Sequence, residues 1–134
     1  MLVNDKNFNH LKVHTQYSIC EGAIKIDELA DYCKLNKVRS LGLADSYNLC
    51  GALEFSEKIS KVGTHPIIGS QINIKISDII GKVSLYATSE EGYKNLTKLS
   101  SLSYLKTNVT TEPSCNIKDL ADSCKDLILL TGNY

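Results

Sequence analysis

The sequence predicts an α/β fold in which mostly parallel strands alternate with helices. Short continuous apolar runs at 40–44 and 126–130 read as strands buried on both faces. Segments at 27–36, 51–62 and 89–104 carry apolar residues at helical spacing. The two kinds of segment take turns along the chain, the wiring of parallel strands covered by helices.

The elements follow in order. Residues 10–14 read as a strand, and 15–25 as a loop holding Gly22. Residues 27–36 are helical, with Leu29, Ala30, Cys33 and Val38 on the buried side and Asp27 and Glu28 at the positive N-terminal end. A buried strand at 40–44 precedes a loop at 45–48. A second helix spans 51–62, with Ala52, Leu53, Phe55 and Ile59 at helical spacing and Gly63 as its stop. A third short strand covers 66–68. At 71–76, Ile72, Ile74 and Ile76 alternate with Asn73 and Lys75, the pattern of a half-buried strand whose partner is 82–87. Ser89 caps a third helix with Glu90 and Glu91 in its first turn, and Tyr93, Leu96, Leu99, Leu102 and Tyr104 along its apolar side. A polar loop with Pro113 leads to a short helix at 116–123, capped by Asn116 with Asp119 three residues on. A buried strand at 126–130 ends the series. A closed barrel of such units needs roughly 200 residues or more, so the 134-residue chain is expected to be the N-terminal part of a larger barrel.

Composition is that of a globular domain: 43% hydrophobic and 22% charged, with 15 basic and 15 acidic residues. With Arg39 as its single arginine and no dense basic run, the chain offers no phosphate clamp and binds nucleic acid weakly by itself. The tyrosines are scattered, with no stacking platform for bases. Cys20, Cys33, Cys50, Cys115 and Cys124 form no Cys-x-x-Cys pair; they read as free thiols, mostly small buried hydrophobes, in a reducing cytosol. No signal segment and no membrane-spanning run are apparent, so a cytoplasmic protein is expected.

The chemistry concentrates in 10–22. His10, Lys12 and His14 share one face of the first strand, and Glu21 follows. Two imidazoles and a carboxylate outline a divalent-metal site. Lys12 contradicts it, because an ammonium has no lone pair to give and repels a cation.

Several stretches resemble a known family. They are His-Leu-Lys-Val-His-Thr-Gln-Tyr-Ser at 10–18, Glu-Gly-Ala at 21–23, Leu-Gly-Leu-Ala-Asp-Ser-Tyr-Asn-Leu-Cys-Gly-Ala-Leu-Glu-Phe at 41–55, and Pro-Ile-Ile-Gly-Ser-Gln at 66–71. Glu-Gly-Tyr-Lys-Asn-Leu at 91–96 and Leu-Ile-Leu-Leu-Thr-Gly at 127–132 add to them. Together they resemble the N-terminal PHP (polymerase and histidinol phosphatase) domain of bacterial DNA polymerase III alpha subunits. The resemblance implies a distorted β/α barrel of about seven strands, of which this chain supplies the first half. It also implies a parent protein that synthesises DNA with Mg2+ held by carboxylates outside this chain. The implied partners are the remaining polymerase domains, DNA through them, and a proofreading exonuclease subunit that docks here.

Metal-competent members of the family look like a trinuclear site. The matching positions here are Lys12, His14, Glu21, Ser46 and Gln71. Only His14 keeps the ligand type, with Glu21 a workable replacement. Lys12 adds positive charge, Ser46 replaces an imidazole, and Gln71 loses a carboxylate. The resemblance therefore implies a degenerate site with no metal, no cofactor and no catalytic residue in this segment. His14 is expected to be a buried, hydrogen-bonded histidine and His10 a strand-end residue. Glu21 is expected to pair with Lys12 across the old pocket. Asp45 is expected to cap the turn near Asn48 by accepting backbone N–H bonds. Gly51 and Gly69 read as backbone devices. Two other readings remain: an active metal-dependent PHP phosphoesterase or 3'-5' exonuclease, for which His10, His14 and Glu21 speak, and a free-standing α/β binding module.

Overall fold

A computed structural model describes residues 8–108 and 110–131. Its sheet is organised by one long strand, β2 (His65–Ile76). β1 (Ser40–Ser46) runs parallel to it, from Ser40 opposite His65 to Ser46 opposite Gln71. β3 (Ile79–Ala87) returns antiparallel along Gly69–Ile76. The short β4 (Ser114–Asn116) pairs parallel with residues 73–75 of β2. A strand has two edges, so β4 continues the edge that β1 leaves at Gln71. β5 (Leu127–Leu130) adds antiparallel to β3 and completes the order β1-β2-β3-β5.

Helices α1 (Ile26–Asn36) and α2 (Ala52–Lys61) pack on β1. Ile26, Leu29, Ala30 and Cys33 meet Leu41, Leu43, Ala52, Phe55 and Ile59 in one buried cluster. α3 (Glu90–Leu105) and α4 (Ile117–Asp122) cover β2 and β3, where Ile72, Ile74 and Leu85 pack with Leu96, Leu99, Cys115 and Leu120. The expected termini hold. Gly63 follows α2 with φ +83°, the left-handed conformation that glycine adopts without strain. The Ser89 hydroxyl accepts the Gly92 N–H at 3.1 Å and starts α3. Asp119 accepts the Asn116 N–H at the start of α4.

The α/β class expected from the sequence is the one observed, with corrections of detail. The sheet is mixed, because β3 and β5 run antiparallel to their neighbours. The two expected strands at 66–68 and 71–76 are one continuous strand, since Gly69 and Ser70 pair with both β1 and β3 and leave no break. Asp45 and Ser46 extend β1 and do not open a loop. Gln71 and Asn73 are as buried as Ile72 and Ile74, so β2 is covered on both faces there. Leu53 faces outward, 81% exposed, because α2 turns Ala52, Phe55 and Ile59 inward. Tyr93 and Tyr104 lie outside the buried side of α3. β5, expected to be buried, is an edge strand with Ile128, Leu129 and Leu130 exposed. Only Cys33 and Cys115 are buried; Cys20, Cys50 and Cys124 are exposed.

Residues 10–14 do not form a regular strand. They lie as an arm on the outer edge of β1, bridged at Val13–Leu43. The Gly42 N–H donates to His10 O at 2.7 Å, and the Val13 N–H donates to Gly42 O at 3.1 Å. The loop after the arm closes through a Thr15–Ile24 bridge. Gly22 sits so close under this loop that a Cβ there would lie 2.0 Å from Thr15 O. That approach brings Glu21 back towards the arm.

Candidate functional site

Strand alternation sorts β2 and β3 into two faces. Ile72, Ile74 and Leu85 take the helix-covered face, so Gln71, Asn73, Lys82 and Ser84 take the other. The register sets Gln71 opposite Ser84 and Asn73 opposite Lys82. On the β1 side, Ser46 lies opposite Gln71 and joins this polar face. The site is therefore an assembly of one face, the end of β1 and the loop that carries Glu21.

Glu21 is its centre. One carboxylate oxygen accepts the Ser46 hydroxyl, and the other accepts Lys82 Nζ at 3.0 Å. His14 Nδ1 stands 4.0 Å from Glu21 and 3.2 Å from the Ser18 hydroxyl. The Ser46 N–H donates to the same Ser18 oxygen at 3.1 Å. Lys82 Nζ also lies over the ring of Tyr47, 4.7 Å from its centroid, a cation–π geometry. Tyr47 in turn donates its N–H to Gln71 O at 2.9 Å and its hydroxyl to Glu112 at 3.0 Å. Glu112 also accepts from Asn73 Nδ2 at 3.0 Å, and Gln71 Nε2 donates to Ser84 at 3.1 Å.

The backbone is strained on both sides of Glu21's contacts. Cys20 has φ +66° and Tyr47 has φ +64°. Such a conformation costs a non-glycine residue about 1–2 kcal/mol and persists only where the surroundings hold it. At Tyr47 its N–H and hydroxyl bonds hold it, and beside Cys20 the Glu21 and Gly22 N–H groups both donate to Ser18 O.

The charges agree with the geometry. The Ser46 hydrogen bond first, and the Lys82 bond next, hold the Glu21 carboxyl below its ordinary range despite some burial. Burial pulls the Lys82 ammonium down, but its bonds to Glu21 and Tyr47 leave its pKa raised. Burial lowers the His14 imidazole and prevails over the upward pull of Glu21 and Asp45, with Lys12 and Lys82 adding to the lowering. At pH 7 the site thus holds a carboxylate, an ammonium and a neutral imidazole.

The sequence-predicted residues divide accordingly. His14, Glu21 and Ser46 come together, and Gln71 lies on the same face. Lys12 is exposed, and the cation on Glu21 is Lys82, not Lys12. His10 is exposed and meets Phe8 edge-on, 4.7 Å between ring centroids. Asp45 shares the parity of Leu41 and Leu43, so its side chain leaves the polar face. It accepts the N–H and hydroxyl of Thr15 and the hydroxyl of Ser18. The turn at 48–50 is made by Asn48 itself, which accepts the Cys50 N–H at 3.0 Å and donates to Tyr17 O and Ser46 O. Sequence reasoning missed Lys82, Tyr47, Asn73 and Glu112. For Lys82 and Asn73 a signal existed: both are polar positions on strands already expected to pair.

Comparison with known proteins gives a consistent answer. The profile of the PHP domain family matches residues 10–134. The chain is 39% identical over 124 residues to the DNA polymerase III subunit alpha of Rickettsia felis, covering 92% of this chain and 10% of that protein. It is 38% identical to that of Caulobacter vibrioides, covering 95% and 12%, and 32% identical to that of Vibrio cholerae, covering 97% and 12%. The chain thus spans about a tenth of the length of these curated relatives. Among solved structures it is similar in fold to a protein described as a metal-dependent phosphoesterase from Bifidobacterium adolescentis (TM-score 0.50, 16% identity, 72% of this chain and 34% of that one). It is likewise similar to an amidohydrolase from Chromobacterium violaceum solved with sulfate and no metal (TM-score 0.53, 16% identity, 68% and 32%). Motifs, fold and profile agree over nearly the whole chain, which belongs to the PHP domain family.

Proposed function

We propose that this chain is the N-terminal PHP segment of a replicative DNA polymerase alpha subunit and works there as a metal-free scaffold. The parent protein is cytoplasmic and extends primers by nucleotidyl transfer. Its Mg2+ is held by carboxylates outside this chain, so no polymerase catalytic residue lies within 1–134. Its partners are the remaining polymerase domains, DNA through those domains, and a proofreading exonuclease subunit docked on this segment. The chain is read as the part of the PHP barrel that precedes closure. The named relatives, all alpha subunits of which it matches about a tenth, support this placement.

One observation carries the scaffold reading: Glu21 is bound by Lys82. The residues do not fit a cluster of divalent cations. Such a site needs several anionic or neutral donors converging on each ion. Here the carboxylate already has an ammonium and a hydroxyl, Ser46 and Gln71 stand in family ligand positions, and Asp45 is turned away towards Thr15. Among the described residues no three His, Cys, Asp or Glu side chains are grouped to hold a metal.

The test is metal content and phosphodiesterase activity of the full-length protein after incubation with Mn2+ and Zn2+, with bis-p-nitrophenyl phosphate as substrate. No bound metal and no turnover at this site are expected. Bound metal, with turnover abolished by His14→Ala, overturns the scaffold reading in favour of an active phosphoesterase or exonuclease.

A further inference from the structure

The metal of a PHP-type site does two physical jobs. It neutralises carboxylates, and it ties together chain segments that are far apart in sequence. In this chain both jobs still need doing. Glu21 points into a polar face, and the loop that carries it must be held against the ends of β1 and β3.

We propose that Lys82 is a built-in cation that takes the electrostatic place of a metal, clamping the Glu21 loop, the end of β1 and β3 to one another. This rests on the metal-free reading above. Three geometric facts support it. Lys82 Nζ donates to Glu21 at 3.0 Å across 61 residues of sequence. The same ammonium sits over the Tyr47 ring, so its second neighbour belongs to the end of β1. Glu21 completes the triangle through Ser46, the residue before Tyr47. Lysine suits the role because its ammonium is a compact point charge with several donors on a flexible stem.

The carboxylate's remaining neighbours agree with this assignment. His14 is neutral and so leaves the charge balance to Lys82. Lys12, on the arm, stays in solvent. The opposed carboxylate Glu112 binds Tyr47 and Asn73 and holds the aromatic ring beneath the ammonium.

A double-mutant cycle on thermal unfolding of the full chain tests the clamp, with Lys82→Met, Glu21→Gln and the double variant. Lys82 and Glu21 are 33% and 41% exposed, so the effect is a shift of a few degrees at low salt. Each single variant is expected to lower Tm by about 2 °C or more. The double variant is expected to lower it no further than the worse single. Additive losses overturn the clamp and leave the scaffold reading standing. Lys82→Arg keeps the charge and is expected to lose less than half of the Lys82→Met shift; an equal loss overturns the proposal even where the other variants fail to fold. Calorimetric titration of the wild type with Mn2+ is expected to show no binding at this site. Uptake abolished by Glu21→Gln overturns both the clamp and the scaffold reading together.

Discussion

Asp45 accepts two hydrogen bonds from Thr15, from its backbone N–H at 2.6 Å and its hydroxyl at 2.7 Å, across thirty residues of sequence. The Ser18 hydroxyl adds a third bond at 2.7 Å. All three residues are buried. This knot ties the loop that carries Glu21 to the end of β1, and it occupies the strand-end aspartate that the sequence assigns to the turn near Asn48.

The knot is expected to be expensive to break. Asp45→Asn presents an amide NH2 to one of the Thr15 donors and leaves buried groups unpaired. A loss of about 2–4 kcal/mol is expected, read as a shift of the urea midpoint with an unchanged slope. A loss under 1 kcal/mol means that the loop is held elsewhere.

Gly22 makes a second demand on the same loop. A methyl group at this position meets backbone, Thr15 O at 2.0 Å, which cannot rotate away. Gly22→Ala is expected to cost about 1–3 kcal/mol. It should also weaken the Glu21–Lys82 contact, so that a following Lys82→Met substitution costs less than it does in the wild type. Urea unfolding of the single and double variants measures both effects.

Phe55 and Leu53 offer a contrast within one helix. Phe55 is fully buried against α1 and β1, and Leu53 stands in solvent. Phe55→Ala is expected to lose about 3–5 kcal/mol, and Leu53→Ala about 0.5 kcal/mol or less. Equilibrium denaturation of the two variants side by side decides it; comparable losses would mean that α2 is rotated from the orientation described.

Glu21 sets a pH dependence. Its folded pKa is depressed by Ser46 and then by Lys82. Its stabilisation is therefore fully present above the unfolded glutamate pKa of about 4.3 and is lost as pH falls through the lower folded value. The Tm gap between wild type and Glu21→Gln is expected to be constant from pH 7 to about 5, and to shrink steadily as pH falls below about 4. A gap that does not shrink between pH 5 and pH 3 excludes the carboxylate charge as its source.

Much of this molecule was legible in its amino-acid order because the signals are local. Helix starts at Ser89 and Asn116, the stop at Gly63, and the helix-facing Ile72 and Ile74 follow from hydrogen-bonding groups and periodicity within a few residues. The family, too, was visible in contiguous motifs. The tertiary structure alone decided which cation meets Glu21 and where Asp45 points. Lys12 and Lys82 are chemically identical in sequence, and Lys12 is the nearer of the two along the chain. The antiparallel return of β3 sets Lys82 opposite Asn73 on the polar face, whereas the arm leaves Lys12 in solvent. Strand parity likewise turns Asp45 towards Thr15 and Ser46 towards Glu21, though they are adjacent residues. Sequence specifies what each side chain can do, but an ion pair across 61 residues exists only where strand register and loop closure bring both ends together.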